Sequence, residues 1–266
     1  MKYLSKSENW ILIGMLCVAA FAVISCRKSP PAVDPATVDS GDAKAAVDGI
    51  TEADRLYAER GDPAKARMAV TALRQARTAD YGNFEAAWKL SRADYYLGSH
   101  TIDDEAEDLF REGVETGKIA IQLNGSRPEG HFWLGANYGG SAQRSTLAGL
   151  ASVEDIRREM ETVIKMDENF QGGSAYLALG QLYLEAPRAL GGETAKAIDY
   201  LQKGLRIAPN NSLMRLHLAE AYHSAGRDAE ARKQIEELMA MKPDPDYLPE
   251  HQDALEKAKK LQEKLK

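Results

Sequence analysis

From residue 48 to the C-terminus, apolar residues recur every three or four positions and charged residues fill the gaps, the pattern of amphipathic helices. No β-branched run alternates with polar residues, and no hairpin signal joins two such runs, so the pattern predicts helix and no sheet. The first 47 residues follow another rule. Lys2 and Lys6 give a basic start, partly offset by Glu8, ahead of an apolar run from Trp10 to Ile24. That run is shorter than the ~18–20 residues a helix needs to cross a bilayer, so residues 1–25 read as a signal peptide. Residues 26–47 hold Pro30, Pro31 and Pro35 among Ala, Asp, Ser and Gly without any period, and read as a flexible tether.

The helical region 48–266 repeats itself. Pro209 and Pro243 lie 34 residues apart, each just after a helical stretch. Between them Leu218-Ala219, Tyr222, Gly226 and Ala231 fall on the spacing of a tetratricopeptide repeat. Small residues belong where the two helices of a pair cross closely, Tyr and Leu fill the space between them, and the proline ends the second helix. Upstream, Tyr176, Leu179-Gly180 and Tyr183 open a repeat that continues through Ala197, Leu201, Gly204 and Pro209, with extra residues around Ala186–Leu190 lengthening its turn. His131, Leu134-Gly135 and Tyr138 open another, closing through Met160, Val163 and Asp167-Glu168-Asn169. A less regular pair runs from Asn83 to Gly125, and a first pair carries Tyr57, Gly61, Ala66, Val70 and Leu73. The expected fold is therefore all-α, an α-solenoid of about five helix pairs, with Leu248–Lys266 as a polar capping helix.

The apolar N-terminal run ends in Val23-Ile24-Ser25-Cys26, which resembles the lipobox of bacterial lipoproteins. In that reading Cys26 is acylated and becomes the mature N-terminus; an ordinary secretory signal or a short anchor would leave it a chance cysteine. Cys17 would depart with the peptide, so Cys26 would be the one cysteine left, and acylation would remove a lone thiol from an oxidising compartment. Arg27, where enteric sorting rules would use Asp for retention, implies the outer membrane by that resemblance. The formal charge of −6 becomes −7 without residues 1–25. An acidic chain without a basic stripe excludes a nucleic-acid partner, and leaves lipid rather than charge to hold the protein to a membrane.

Candidate chemistry is sparse. His217, Glu220 and His223 are spaced by three, and six helical residues turn through about 600°, so the two histidines do not share a face as zinc ligands would. His131 reads as a packed ring with a satisfied nitrogen, and His100 and His251 fall in loops or helix starts. Gly139-Gly140-Ser141 and Gly191-Gly192-Glu193-Thr194 lack the strand and the Lys-Ser/Thr ending of a phosphate loop and read as helix stops and turns. No nucleophile elbow or Ser/His/Asp set is present, so no catalytic residue, metal or cofactor is expected.

What remains is the concave face lined by the first helix of each pair. Repeat register puts there Trp88, Arg92 and Tyr95; Glu129, Phe132 and Ala136; Ser174, Leu177, Gln181 and Leu184; and Leu213, Leu216, Glu220 and His223. This lining suits an apolar ligand or a peptide better than a phosphate. Two readings stay open: an exposed binding face, or a core stripe covered by an added loop or the terminal helix.

Three stretches go beyond the generic repeat: Gly130–Tyr138, Ile156–Glu161 with Asp167–Gly173, and Ala186-Pro187 before Gly191-Gly192. Together with an extended segment expected at 139–152 they resemble the T-component lipoproteins of tripartite ATP-independent periplasmic (TRAP) transporters; Ser174-Ala175-Tyr176 departs from the basic residue expected after Gly173. The resemblance implies a periplasm-facing lipoprotein that pairs with a solute-binding protein, takes a small apolar organic ligand and associates into homotrimers. Eukaryotic regulators of microtubule dynamics share a similar repeat region, but the lipobox argues against that setting. The rival function is an envelope scaffold for outer-membrane or cell-wall assembly, which the same fold permits.

Overall fold

The computed structural model describes residues 40–102, 104–144, 146–243 and 245–265. The expected signal peptide, Cys26 and the tether up to residue 39 lie outside them. Eleven helices are present among the described residues: α1 (Ser40–Ala58), α2 (Pro63–Ala79), α3 (Phe84–Ser99), α4 (Glu105–Leu123), α5 (Pro128–Arg144), α6 (Thr146–Met166), α7 (Ser174–Glu185), α8 (Thr194–Ile207), α9 (Ser212–Ser224), α10 (Asp228–Met239) and α11 (Leu248–Lys264). They form the five successive antiparallel pairs read from the sequence, followed by α11.

Local chemistry sets the boundaries. Asp62 caps α2 by accepting the Ala64 amide at 2.8 Å, with Pro63 at the first helical position, where its missing N–H costs nothing. Asn83 and Asn211 cap α3 and α9 in the same way, accepting from Ala86 and Met214 at 3.0 Å each. The extra residues between α7 and α8 make a short 3₁₀ turn over Arg188–Leu190, closed by Gly191 at φ 93°.

Two parts of the sequence reading are corrected. Residues 40–47, expected in the tether, form the first turns of α1, because Ala46 is fully buried and Lys44 pairs with Asp48 one turn on at 2.7 Å. Residues 139–152, expected as an extended segment opened by a glycine stop, are helical on both sides of residue 145. Gly140 sits inside α5 because a Cβ there would come within 2.1 Å of the Phe110 ring from α4. It is a packing glycine, not a breaker.

Close approach recurs between pairs two and three. The fully buried Asn137 of α5 lies with its Nδ2 2.9 Å from the Ser91 carbonyl of α3 and 2.8 Å from the Trp133 carbonyl of its own helix. Ser91 Oγ donates to the Gly113 carbonyl of α4 at 2.7 Å, and a Cβ on Gly113 would lie 2.2 Å from Asn137 Oδ1. Between α5 and α6, His131 Nδ1 lies 2.7 Å from Glu159 Oε2, while its Nε2 faces the Gly125 carbonyl at 3.2 Å. The Glu159 hydrogen bond raises the His131 pKa. Burial alone would push Glu159 up, but hydrogen bonds from His131 and Arg158 outweigh it and leave that carboxyl below its ordinary value.

The buried Asp94 carboxyl has no such partner. Asp94 on α3 is fully buried, and neither carboxyl oxygen has a hydrogen-bond partner. Burial, with nearby Glu112 adding to it and Arg74 opposing it, holds its pKa well above the carboxylate range. A carboxyl whose pKa rises on folding contributes stability in acid, where it is protonated in both states, and loses that contribution as pH climbs through its raised folded value.

Two outcomes follow for urea denaturation. Gly139→Ala, whose Cβ meets nothing within 4 Å, gains about 0.5–1 kcal/mol from helix propensity, whereas its neighbour Gly140→Ala loses about 1–3 kcal/mol by overpacking against Phe110. Asp94→Asn is more stable than the wild type by about 1–3 kcal/mol at neutral pH, and that advantage vanishes at pH below the unfolded carboxyl pKa of about 3.9.

Candidate binding face

The first helices of the pairs, α3, α5, α7 and α9, carry the residues expected to line the face. Trp88 and Phe132 keep only 8% and 7% of their surface exposed, so each offers a ring edge rather than a platform. The Trp88 indole N–H donates to Glu85 at 2.8 Å. Phe132 packs edge-on between Trp133 at 4.9 Å and Phe170 at 5.5 Å. Arg92, Tyr95, Leu177, Gln181, Leu184, Glu220 and His223 are all half-buried. Tyr95 leans on Trp133, whose own indole N–H is buried without an acceptor. Gln181 donates to Glu185 at 3.1 Å.

The two histidines of α9 are each committed to a carboxylate. His217 Nδ1 lies 2.7 Å from Glu220, and His223 Nδ1 lies 2.8 Å from Asp228. Among the described residues no group of three His, Cys, Asp or Glu side chains could hold a metal ion. None of their helices is long and apolar enough to cross a membrane.

Across the first two pairs the structure assembles a cluster that the repeat register does not single out. Asp54 of α1 accepts from Lys89 at 2.5 Å and from Arg92 at 3.2 Å. The Arg92 guanidinium lies 4.0 Å over the Tyr57 ring, and Arg60 lies 4.9 Å from Tyr57 and 5.5 Å from Tyr96. His100 stacks on Tyr96 at 4.2 Å. Burial, with the Glu250 charge next in weight, pushes the Tyr96 phenol up to about 12. Cation–aromatic contacts of this kind leave no mark in local spacing, since Tyr57 and Tyr96 come from different pairs.

The terminal helix bears directly on this face. Its buried stripe, Ala254, Ala258, Leu261 and Leu265, joins one core cluster with Leu216 and Ile235 of α9 and α10. His251 Nδ1 lies 2.6 Å from Ser212 Oγ at the start of α9, and Arg232 of α10 donates to the Leu265 carbonyl at 2.9 Å. The first turn of α11 also reaches the first two pairs: Glu250 takes a forked set of bonds from Arg60 at 2.9–3.1 Å, and Asp253 meets His100, just past α3, at 3.2 Å. The terminal helix, read from the sequence as a polar cap and as one of the segments that could cover this face, thus reaches across it. A separate cleft of about 390 Å³ lies between the start of α6 and the α7–α8 turn, lined by Ala151, Val153, Glu154, Arg157, Ala189, Leu190 and Gly191.

Comparisons with known proteins agree with this architecture. A family described as TRAP transporter T-component matches residues 123–266, and one described as regulator of microtubule dynamics protein 1-3 matches residues 49–186. No curated protein sequence matches the chain. Among solved structures, a thermophilic tetratricopeptide-repeat protein of Thermus thermophilus superposes with a TM-score of 0.60 at 22% identity, over 79% of this chain and 98% of that one. PilF of Pseudomonas aeruginosa superposes with a TM-score of 0.54 at 17% identity, over 85% of this chain and 93% of that one. Identities this low show the fold alone, an α-solenoid of tetratricopeptide repeats.

The two family matches overlap on α5 to α7 and together span the repeat array. Each match takes in just over half of the chain: the one to regulators of microtubule dynamics lies in the N-terminal and central repeats, and the T-component match runs from the end of α4 through α11. A repeat protein of the binding, accessory type, this chain belongs to the TRAP transporter T-component family.

Proposed function

We propose that the chain is a lipid-anchored, periplasm-facing accessory component of a TRAP-type transporter, which works by binding and handover and catalyses no reaction. Residues 1–25 act as a lipoprotein signal, Cys26 carries the acyl chains, and the stretch up to the start of α1 sets the distance from the outer membrane. One acyl chain alone gives marginal membrane affinity; two or more hold firmly, which an acidic protein needs in place of charge attraction. The partner is a periplasmic solute-binding protein, and the ligand passed along is a small apolar organic molecule. Assembly into homotrimers belongs to the same reading.

The observation that carries this reading is the T-component match, because it falls on α5, α7 and α9, the helices that supply Phe132, Leu177, Gln181, Leu184, Glu220 and His223. Trp88, Arg92 and Tyr95 on α3 extend the same face. Half-buried Leu177 and Leu184 beside polar Gln181 and Glu220 give apolar contact area with a few orienting groups, as small-molecule and peptide sites require.

A mild-detergent pull-down from cross-linked envelopes, quantified by mass spectrometry, enriches a periplasmic solute-binding protein and its permease. Enrichment of outer-membrane or cell-wall assembly proteins in their place replaces the transport reading with that of a scaffold. Cys26→Ser moves the protein from the membrane pellet to the soluble fraction; a variant that still pelleted after salt washing would overturn the lipid anchor.

A further inference from the structure

The cleft between α6 and the α7–α8 turn is built around one cation, Arg157. Its Nη1 donates to Glu154, one turn back along α6, at 2.5 Å, and its Nη2 donates to the Leu190 carbonyl at 3.3 Å. The guanidinium lies 5.8 Å from the ring of Tyr183, which is itself stacked on Tyr200 at 5.3 Å. The two glycines of the turn make this seat. A Cβ on Gly191 would come within 3.0 Å of Nη2, and its φ of 93° is one that glycine adopts without strain. A Cβ on Gly192 would collide with the Ala186 carbonyl at 1.8 Å. Gly191-Gly192 therefore does more than reverse the chain: it holds the Leu190 carbonyl against a fixed guanidinium.

The two charges at the cleft differ in their setting. The Arg157 side chain is 24% exposed and forms part of the wall, whereas Glu154 is 74% exposed and stands in solvent at the mouth. A pair with one member so solvated contributes little, and it leaves donors over. The Arg157 Nε is buried without an acceptor, and each terminal nitrogen has a second N–H to give. The remaining wall is short and apolar, from Ala151, Val153, Ala189 and Leu190. The volume of about 390 Å³ is at the small end for a ligand site, and the cleft is open on the side of Glu154. A free small molecule needs most of its surface enclosed, so an open cleft of this size suits the end of something larger.

The geometry points to a binding site for the C-terminal end of a partner protein: Arg157 receives the terminal carboxylate, and a branched apolar last side chain such as leucine lies against Ala151, Val153, Ala189 and Leu190. The chain behind it leaves through the open mouth. Glu154 faces it there and turns away partners with an acidic residue just before their end. This rests on the reading that the chain acts by binding a protein partner, and it adds a second contact apart from the first-helix face. Nothing of the chain's own has to move aside, because the cleft is unfilled by any described residue.

The test uses the full chain and a fluorescein-labelled peptide of sequence Ser-Gly-Ser-Gly-Leu, made with a free or an amidated C-terminus and followed by fluorescence anisotropy. The free-carboxyl peptide binds, and the amide binds roughly tenfold more weakly because it offers Arg157 no anion. Arg157→Gln removes the difference between the two peptides. Glu154→Gln tightens the free-carboxyl peptide by roughly threefold, since it takes away the like charge at the mouth. Glu154 is exposed, so that variant keeps the wild-type Tm and its gain is read on a folded chain even if Arg157→Gln lowers Tm. Failure of both peptides to bind, equal binding of acid and amide, or weaker binding by Glu154→Gln would sink the proposal. Displacement of the peptide by N-acetylleucine at the peptide's own concentration would also overturn it, because the site would then take a free organic acid. If the envelope pull-down finds no solute-binding protein while the peptides behave as expected, the site stands and the transport reading falls; the reverse result removes the site alone.

Discussion

The array depends on how closely its helices approach one another, and the approach is tightest where Asn137 lies over Gly113. A buried amide that finds its acceptors on α3 and on its own helix fixes the register of three helices at once. That arrangement works only if α4 presents no side chain at the crossing, because any Cβ on Gly113 would occupy the amide's place. Ser91, bonded in turn to the Gly113 carbonyl, extends these contacts to α4, while Asn137 Oδ1 stays buried without a hydrogen-bond partner. The apolar packing of pairs two and three is built outward from this lock, and so is the orientation of α3 and α5, which carry Trp88, Arg92, Tyr95 and Phe132 on the candidate face.

That face is already electrostatically satisfied. Asp54 holds Lys89 and Arg92, Glu85 holds Arg127 as well as the Trp88 indole, and each histidine on α9 has its own carboxylate. A partner therefore gains little by adding a charge and more by exchanging one, since removing one member of a half-buried pair leaves the other unsatisfied. Specificity in such a surface comes from matching the pattern of charges being displaced, with apolar contacts at Leu177 and Leu184 supplying area without discrimination.

Much of this was legible along the chain, and the failures share one cause. The 34-residue interval between Pro209 and Pro243, with Tyr222 and Gly226 between them, is a local signal, and it located the last pair and, by extension, the other four. His131 read as a satisfied ring is also what the Glu159 and Gly125 contacts show. Gly140 misled because a glycine that ends a helix and a glycine that admits a ring from the next helix look the same in one dimension; Phe110, which makes the difference, is 30 residues away. Residues 40–47 misled because alanine is common both in tethers and in helices, and only the burial of Ala46 decides between them. The cluster around Arg60 was hidden for the same reason: Tyr57, Tyr96 and Glu250 belong to three different helices, and no spacing rule joins them.

The Arg60–Glu250 fork joins positions 190 residues apart, close to the two ends of the described array. Repeat proteins ordinarily behave as one-dimensional chains in which each unit leans only on its neighbours, and they fray inward from their termini. Here the terminal units lean on each other. Opening either end requires breaking contacts at the other, so the low-energy partial unfolding open to a linear array is suppressed and the ends melt together.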